Sequence, residues 1–350
     1  MKNNYKAKNN TNMQEKKNSF TPWFSDGYEG PEFRNSKVKN YLSLTPQYIK
    51  NELDKYVVNQ DEACQKIAVM MYQHLHGHRF VGLLAGPTGS GKSFIAECLK
   101  ETFPDLVYIR DVSNLTCDGW NGDKKVSTLF RGVHNPYSYN GVIYPLIFLD
   151  ECDKMFAPHT SSAGENVSES VQSELLTVIH GGKVEFRESS ENYQGKNKLV
   201  TVDTSNMSFL FAGAFEKRAL QIADEESGPS IGFGSSHEKK KSYDRDLTME
   251  DVRRAGCMSE MCGRIQKLVC LNKLDEDVFR EMLNIKNKGP VYEMEKEFNI
   301  PILISDKKKD EIAHNAYVSG LGIRGMKNAI RDYIDELTWE DCHAKALEIV

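Results

Sequence analysis

The sequence predicts an α/β fold in which a parallel sheet with flanking helices is followed by a small, mainly helical domain. Two observations carry this prediction. Short apolar runs of strand length alternate with stretches at helical spacing up to about residue 273, a pattern typical of a parallel sheet covered by helices. Beyond that point helical spacing dominates. We therefore expect a flexible tail rich in Asn and Lys at 1–41, a large α/β domain at 42–273 and a small helical domain at 274–350.

The first helices follow the tail. Thr45 and Pro46 predict a helix start, since threonine caps helices well and proline suits the first helical turn. A second helix follows, and Asp61 is expected to cap it. Val57 and Val58 lie between the two helices and are candidates for the wall around an adenine ring.

A phosphate-binding loop is the strongest motif in the chain. Its residues, in order, are Gly86, Pro87, Thr88, Gly89, Ser90, Gly91, Lys92 and Ser93. They match the pattern G-x-x-x-x-G-K-S/T, in which glycines let the backbone N–H groups face a polyphosphate. An apolar strand precedes the loop and a helical pattern follows it, so a helix N-terminus faces the phosphates. We expect Lys92 to reach the β- and γ-phosphates of ATP and Ser93 to hold Mg²⁺.

A later apolar strand, over 146–149, ends in two carboxylates, Asp150 and Glu151. Because the carboxyl ends of parallel strands meet at one edge of a sheet, both carboxylates are expected beside the phosphate loop. Asp150 can then hold Mg²⁺ through water, and Glu151 can activate the attacking water as a general base. Acidic residues after a strand are also common turn formers, but the preceding phosphate loop favours the catalytic interpretation.

Trp120 lies in a loop between Gly119 and Gly122, with Asn121 beside it. A tryptophan between glycines does not fit a regular apolar face, so we interpret it as a large aromatic ring at the tip of a mobile loop. The alternative is a ring that folds back onto the core of the protein.

A second Gly-rich stretch carries Ile231 and Phe233 on either side of Gly232. A loop of glycines and serines cannot easily bury two bulky apolar side chains by itself. These residues are therefore candidates for insertion into a pocket of a partner, with ordinary packing against the protein's own surface as the alternative.

The remaining elements follow from apolar spacing. We expect a helix over 170–179, a polar loop over 187–197, strands over 207–212, 268–271 and 301–304, and helices in the rest of the C-terminal part. The glycines that follow residue 179 are expected to stop the first of these helices.

Composition excludes several classes of protein. The formal charge, 45 minus 50 or −5, argues against a dedicated nucleic-acid binder, which usually carries a basic face. No apolar run approaches the length that spans a membrane, and the N-terminus has no secretory signal pattern. The eight cysteines include no C-x-x-C pair, which suits reduced thiols and a cytoplasmic location. Cys257 and Cys262 could be imagined as metal ligands, but no second pair completes a site.

Several further stretches complete a characteristic order of motifs. They are Tyr56-Val57-Val58-x-Gln60, Leu115-Thr116-x-x-Gly119, Asp150-Glu151-x-Asp153-Lys154, Val202-Asp203-Thr204-Ser205, Gly213-Ala214-Phe215, Ile231-Gly232-Phe233-Gly234, Gly263-Arg264 and Gly322-x-Arg324-Gly325. Together with the phosphate loop, this series resembles the AAA+ module of the ClpX unfoldase family over about residues 42–338. The resemblance implies a homo-hexameric ring that hydrolyses ATP, with Mg²⁺, to thread protein substrates through a central pore.

The resemblance also implies roles for individual residues. Arg324 matches the arginine that touches the phosphates of its own subunit, and Arg264 matches the arginine finger that reaches the nucleotide of the neighbouring subunit. Trp120 stands where the family has a tyrosine in its pore loop, Gly119–Gly122 here. The stretch Ile231–Phe233 matches the loop that docks the ring onto a ClpP-type peptidase. The family's N-terminal zinc-binding domain is not matched, and no polar side chain at the end of strand 207–212 can be named as a phosphate sensor.

We therefore expect an ATP-dependent, ClpX-like protein unfoldase that delivers substrates to a ClpP-type peptidase. A remodelling ATPase that works without a peptidase is the first alternative. A ring ATPase acting on nucleic acid, or a nucleotide-switched scaffold, is the second, and the acidic balance of the chain counts against it. No membrane partner and no nucleic-acid partner are expected.

Overall fold

The computed structural model describes residues 41–117, 124–133, 137–138, 141–160, 166–189, 197–215 and 247–350. The expected tail up to residue 40, the loop Gly119–Gly122 and the stretch Ile231–Phe233 lie outside the described residues. Of the short strands near residue 140 only the backbone is described.

A five-stranded parallel sheet forms the centre of the larger part of the molecule. Its strands are β1 (Val81–Ala85), β2 (Val107–Asp111), β5 (Leu146–Asp150), β8 (Ser208–Gly213) and β9 (Lys267–Cys270). They lie side by side in the order β2-β5-β8-β1-β9, and every neighbouring pair is parallel. Two antiparallel pairs stand outside this sheet: β3 (Tyr137–Ser138) with β4 (Gly141–Val142), and β6 (Lys183–Ser189) with β7 (Asn197–Asp203).

Helices cover both faces of the sheet. They are α1 (Pro46–Asp54), α2 (Asp61–Leu75), α3 (Lys92–Thr102), α4 (Cys152–Phe156), α5 (Val167–Ile179), α6 (Met249–Arg254) and α7 (Ser259–Cys262), with a 3-10 helix at Val126–Phe130. Because side chains alternate along a strand, Leu84 joins the apolar core under α1 to α3, while its neighbour Leu83 joins the core under α4 and α5. The sheet is thus buried on both faces, which explains its continuous apolar strands.

The C-terminal part has an apolar core of its own. It contains α8 (Glu276–Met282), α9 (Pro290–Phe298), α10 (Asp306–Val318) and α11 (Ile323–Glu340), with a short parallel pair of β10 (Ile302–Ile304) and β11 (Leu347–Ile349). This region is mainly helical, as the sequence predicts. None of the helices in the described part of the chain has the length and apolar character that crossing a lipid bilayer requires.

Four local expectations can be compared with the structure. Thr45 is the N-cap of α1 and accepts a hydrogen bond from the backbone of Tyr48 at 3.2 Å, which confirms the predicted start. The expectation for Asp61 is wrong, because Gln60 is the N-cap and Asp61 is the first helical residue. The polar stretch expected as a loop contains the ends of β6 and β7, since polar side chains alternate in a two-stranded hairpin that is exposed on one face. β11 is a strand where helix was expected, because it pairs with β10.

Candidate functional site

The phosphate loop connects β1 to α3, and its glycines are required by its shape. Gly91 is the N-cap of α3 at φ 96°, and Gly89 has φ 81°, values that L-residues with side chains rarely adopt. A Cβ on Gly86 would lie 2.8 Å from the Cβ of Leu271, so a side chain there would force β1 and β9 apart. The loop can therefore present backbone N–H groups to an anion at the N-terminus of a helix.

The Lys92 ammonium lies inside this loop. Its Nζ donates hydrogen bonds to the carbonyl oxygens of Gly86, at 2.8 Å, and Pro87, at 2.7 Å. A positive charge is thus held among the N–H groups of the loop, where it adds to the attraction for a polyphosphate.

Ser93 and Asp150 meet at the same edge of the sheet, although they are far apart in the sequence. The Ser93 hydroxyl donates to Oδ2 of Asp150 at 2.5 Å, and the backbone N–H of Glu151 donates to Oδ1 at 2.9 Å. A hydroxyl and an oriented carboxylate are the hard oxygen ligands that Mg²⁺ prefers. The pair therefore fits a shared Mg²⁺, and these two residues would hold it.

Glu151 occupies an unusual backbone conformation directly after β5. Its φ and ψ of 60° and 32° lie in the left-handed region, which costs free energy for a residue with a side chain and is common at functional sites. Its Oε2 pairs with Nζ of Lys154 at 2.7 Å, and this hydrogen bond raises the pKa of Lys154. The sharp turn at Glu151 thus fixes its carboxyl group next to the Ser93–Asp150 pair.

The end of β8 approaches the loop through its backbone. The carbonyl of Gly213 accepts a hydrogen bond from the N–H of Gly86 at 3.4 Å. The backbone of Ala214 hydrogen-bonds to Asp153, while burial raises the pKa of that carboxyl. The strand for which the sequence offered no polar side chain therefore contacts the site with peptide groups, a contact that only the sheet order could reveal.

Gln60 links three segments of this edge. Its side chain is buried, with 2% of its surface exposed. Its amide nitrogen donates to the carbonyl of Asn272 at 3.0 Å and to that of Ser90 in the phosphate loop at 3.4 Å, and its amide oxygen accepts from the N–H of Asn272 at 2.8 Å. Gln60 thus joins the phosphate loop to the segment that leads into the C-terminal helices. In the sequence, Gln60 stands out only as part of the motif Tyr56-Val57-Val58-x-Gln60, which by itself predicts no role for the side chain.

A cavity of about 480 Å³ lies beside Gln60. Its lining residues are Asp54, Val57, Val58, Asn59, Asp61, Asp275, Asp277, Val278 and Glu281. Val57 packs in the core under α1 to α3, whereas Val58 packs against the C-terminal core. The two valines thus form part of a wall between the regions, and the carboxylates around it can accept hydrogen bonds from an amino group.

The C-terminal region contacts the larger part of the molecule at two places, one of which is the phosphate loop. A Cβ on Gly322, the N-cap of α11, would lie 3.8 Å from Cα of Gly89. Lys288 pairs with Glu101 of α3 at 2.6 Å, and its Nζ lies 4.7 Å from the ring centroid of Tyr56. Arg324 follows Gly322 in the first turn of α11, and its side chain is exposed.

Arg264 lies at the opposite edge of the sheet. It precedes β9, and the N–H of the nearby Gln266 donates to the carbonyl of Val81 at 2.8 Å, at the start of β1. The phosphate loop follows the end of β1, about 15 Å away for a strand of five residues. Burial lowers the pKa of Arg79 at this edge, and the positive charge of Arg264 lowers it further. The two expected site residues Lys92 and Arg264 are therefore not brought together within one chain.

Cys257 and Cys262 do not join a metal site in the described ranges, where no three His, Cys, Asp or Glu side chains are grouped to hold an ion. All eight cysteines are free thiols.

Comparison with known proteins shows what this arrangement is similar to. Residues 80–268, more than half of the chain, match the family described as AAA domain (Cdc48 subfamily). The ATP-dependent Clp protease ATP-binding subunit ClpX of Borrelia duttonii is 28% identical over 337 residues, which cover 87% of this chain and 76% of the relative. The protein of the same name from Treponema denticola is 29% identical over 330 residues, which cover 85% of this chain and 77% of the relative.

Proposed function

This chain belongs to the AAA domain family and is a ClpX-like AAA+ ATPase. We propose that it is a protein unfoldase. It assembles as a homo-hexamer, hydrolyses ATP with Mg²⁺ and threads protein substrates through a central pore. The similar proteins are named as ATP-binding subunits of an ATP-dependent Clp protease, which supports delivery of the unfolded chain to a ClpP-type peptidase.

The separation of Arg264 from its own phosphate loop carries the proposal. A guanidinium beyond the far end of β1 cannot stabilise charge on a phosphate held at Lys92 of the same chain. It can do so for the nucleotide of a second copy that docks against this edge. An arginine supplied in trans stabilises the transferring phosphoryl group, so hydrolysis requires assembly.

Each residue at the phosphate loop then has its own role in binding and hydrolysing ATP. Lys92 and the backbone of the loop bind the phosphates. Ser93 and Asp150 would hold Mg²⁺, which neutralises phosphate charge. Glu151 orients and deprotonates the attacking water. Arg324 approaches the phosphates from the C-terminal region of the same chain. Val57 and Val58 form part of the wall around the adenine ring. A change of nucleotide then shifts the C-terminal region, a hinge motion that moves the Trp120 loop along the pore.

A fluorescent protein with an unstructured extension tests the proposal. We expect its fluorescence to fall when the full chain and ATP are added, and to persist with a non-hydrolysable analogue. The variant Glu151→Gln should bind ATP and stay assembled but leave the fluorescence unchanged. ATP turnover without any unfolding, stimulated instead by DNA, would contradict the proposal and favour action on nucleic acid.

Addition of a ClpP-type peptidase separates the two protein-directed functions. Degradation of the unfolded substrate, lost in Phe233→Ala while ATP hydrolysis persists, is the expected result. Unfolding without stimulated degradation, and without an effect of Phe233→Ala, would instead assign the chain to stand-alone remodelling.

A further inference from the structure

Two thiols lie against each other at the ends of α7. Cys257 precedes this one-turn helix and Cys262 is its last residue. The Cys262 Sγ lies 3.9 Å from the carbonyl oxygen of Cys257, and the interaction between the two side chains shifts the pKa of both thiols. Cys257 is buried and Cys262 is partly exposed. Because Cys262 is partly exposed, a small oxidant can reach the pair.

The Cys257 end of this unit is fixed to the body of the protein. Gln172 of α5, which is 1% exposed, donates from its amide nitrogen to the carbonyl of Gly256 at 3.0 Å. Its amide oxygen accepts from the N–H of Met258 at 2.8 Å. The residues on both sides of Cys257 are therefore held by one buried side chain.

The Cys262 end leads directly to Arg264. The N–H of Arg264 donates to the carbonyl of Met261 at 3.0 Å, and the N–H of Ile265 donates to that of Cys262 at 3.3 Å. Any displacement of Cys262 towards the fixed Cys257 therefore moves the backbone that carries the arginine.

Cys262 is the more reactive thiol of the two. The hydrogen bond from Cys257 lowers the pKa of Cys262, and the nearby Arg253 adds to this effect. The same hydrogen bond and burial raise the pKa of Cys257. Since the thiolate is the nucleophile, Cys262 reacts first and Cys257 resolves the product.

We propose that Cys257 and Cys262 form a peroxide-sensitive thiol pair whose closure to a disulfide displaces Arg264 and slows ATP hydrolysis. The Cys262 thiolate attacks one oxygen of hydrogen peroxide, the O–O bond breaks, and a sulfenic acid and a hydroxide form. Cys257 then attacks that sulfur and loses its proton, and the sulfenic hydroxyl leaves as water. Two thiols are oxidised by two electrons, the peroxide is reduced to two waters, and a dithiol reductant restores both thiols.

The effect on hydrolysis rests on the proposed function, in which Arg264 acts in trans on a neighbouring nucleotide. Closing the bond requires the two sulfur atoms to come to covalent distance, about 2 Å. Because Gln172 holds the Cys257 end, the Cys262 end makes most of this movement. An arginine that acts in trans works only in a narrow geometry, so a small displacement of its backbone is sufficient.

The test measures the ATPase rate of the full chain with hydrogen peroxide, followed by a dithiol reductant. We expect a fall of about fivefold or more, which the reductant reverses. Peptide mapping without reduction should find the Cys257–Cys262 bond in step with the fall. Cys262→Ser should keep the basal rate and resist peroxide, whereas Cys342→Ser, which removes an exposed thiol elsewhere, should stay sensitive.

Three outcomes would overturn the proposal: a disulfide between other cysteines, no disulfide at all, or a complete Cys257–Cys262 bond with an unchanged ATPase rate. The rate of Arg264→Ala under reducing conditions is measured in parallel. A normal rate in that variant contradicts the role of Arg264 in the proposed function, independently of whether the thiol pair closes.

Discussion

The two edges of the parallel sheet use their polar side chains differently. At the edge where the strands end, Lys92, Ser93 and Asp150 lie together at the phosphate loop, in which Gly89 and Gly91 have positive φ. At the edge where they begin, Arg264 is exposed, and of the expected site residues within the described ranges it is the one that lies at this edge. The first edge is shaped to receive a ligand, whereas the second can offer a charge to another molecule.

One helix supplies the buried polar link at both edges. Gln60, the N-cap of α2, bridges the phosphate loop and Asn272. In the last turn of α2, His74 bonds through Nε2 to the carbonyl of Tyr144 at 2.7 Å and through Nδ1 to the hydroxyl of Ser208 at 2.8 Å. Gln60 thus joins the phosphate loop to the segment that leads into the C-terminal helices, whereas His74 joins α2 to the start of β8 within the central sheet.

Removal of the charge at the ligand-binding edge should have the largest effect. Lys92→Ala is expected to lower ATP turnover by about 100-fold or more, because the charge that neutralises the phosphates is lost. A steady-state ATPase assay and nucleotide binding measure this. Lys100→Ala, at an exposed position on the same helix, serves as the control, and equal rates for the two variants would contradict the role of Lys92.

Arg264 tests whether the opposite edge acts on another chain. Arg264→Ala alone should lower turnover by about tenfold or more, as should Glu151→Gln. Mixing the two inactive variants should restore part of the rate, because an intact arginine then meets an intact phosphate loop. Lys267→Ala, at the same edge, is the control with unchanged turnover. A mixture no faster than its components would argue against action in trans.

Gln60→Ala should loosen the ligand-binding edge without removing a charge. The carbonyl and N–H of Asn272 then lose their buried partner, and we expect the free energy of unfolding to fall by about 2 kcal/mol. Denaturant unfolding with and without nucleotide measures the change, and nucleotide affinity should fall too. Gln65→Ala, exposed on the same helix, should unfold like the unchanged protein; an identical result for Gln60→Ala would refute the link.

The buried His74 at the other edge should make the free energy of unfolding depend on pH. Burial lowers the pKa of His74 to about 4, so between pH 6.5 and 4 the unfolded chain binds a proton that the folded chain does not. Stability is therefore fully present above pH 6.5 and falls as the pH decreases, by about 2 kcal/mol at pH 5.

Urea unfolding at pH 7.5 and pH 5 measures this loss. His74→Gln should reduce the difference between the two pH values by that amount, whereas His78→Gln, exposed beyond the end of α2, should not. If His74→Gln kept the full pH dependence, the loss of stability would have to come from other groups.

The phosphate loop and the acidic pair were predictable because their chemistry depends on neighbouring residues. Gly86–Ser93 encode a turn and a helix start within eight positions, and Asp150 with Glu151 follow an apolar strand that must be buried. Parallel strands then bring these two local signals to one edge. Asp61 and β11 were predicted wrongly because a cap and a strand pair depend on the partners that approach them.

The fold class, the phosphate loop and the two carboxylates can be predicted from the amino-acid sequence, because apolar periodicity and contiguous motifs specify them locally. That Gln60 contacts Ser90 and that Arg264 lies at the far edge from Lys92 is established by the tertiary structure alone. These relations depend on strand order and on the packing of helices over the sheet. Many weak contacts between distant residues set that packing together, so no single stretch of sequence encodes it.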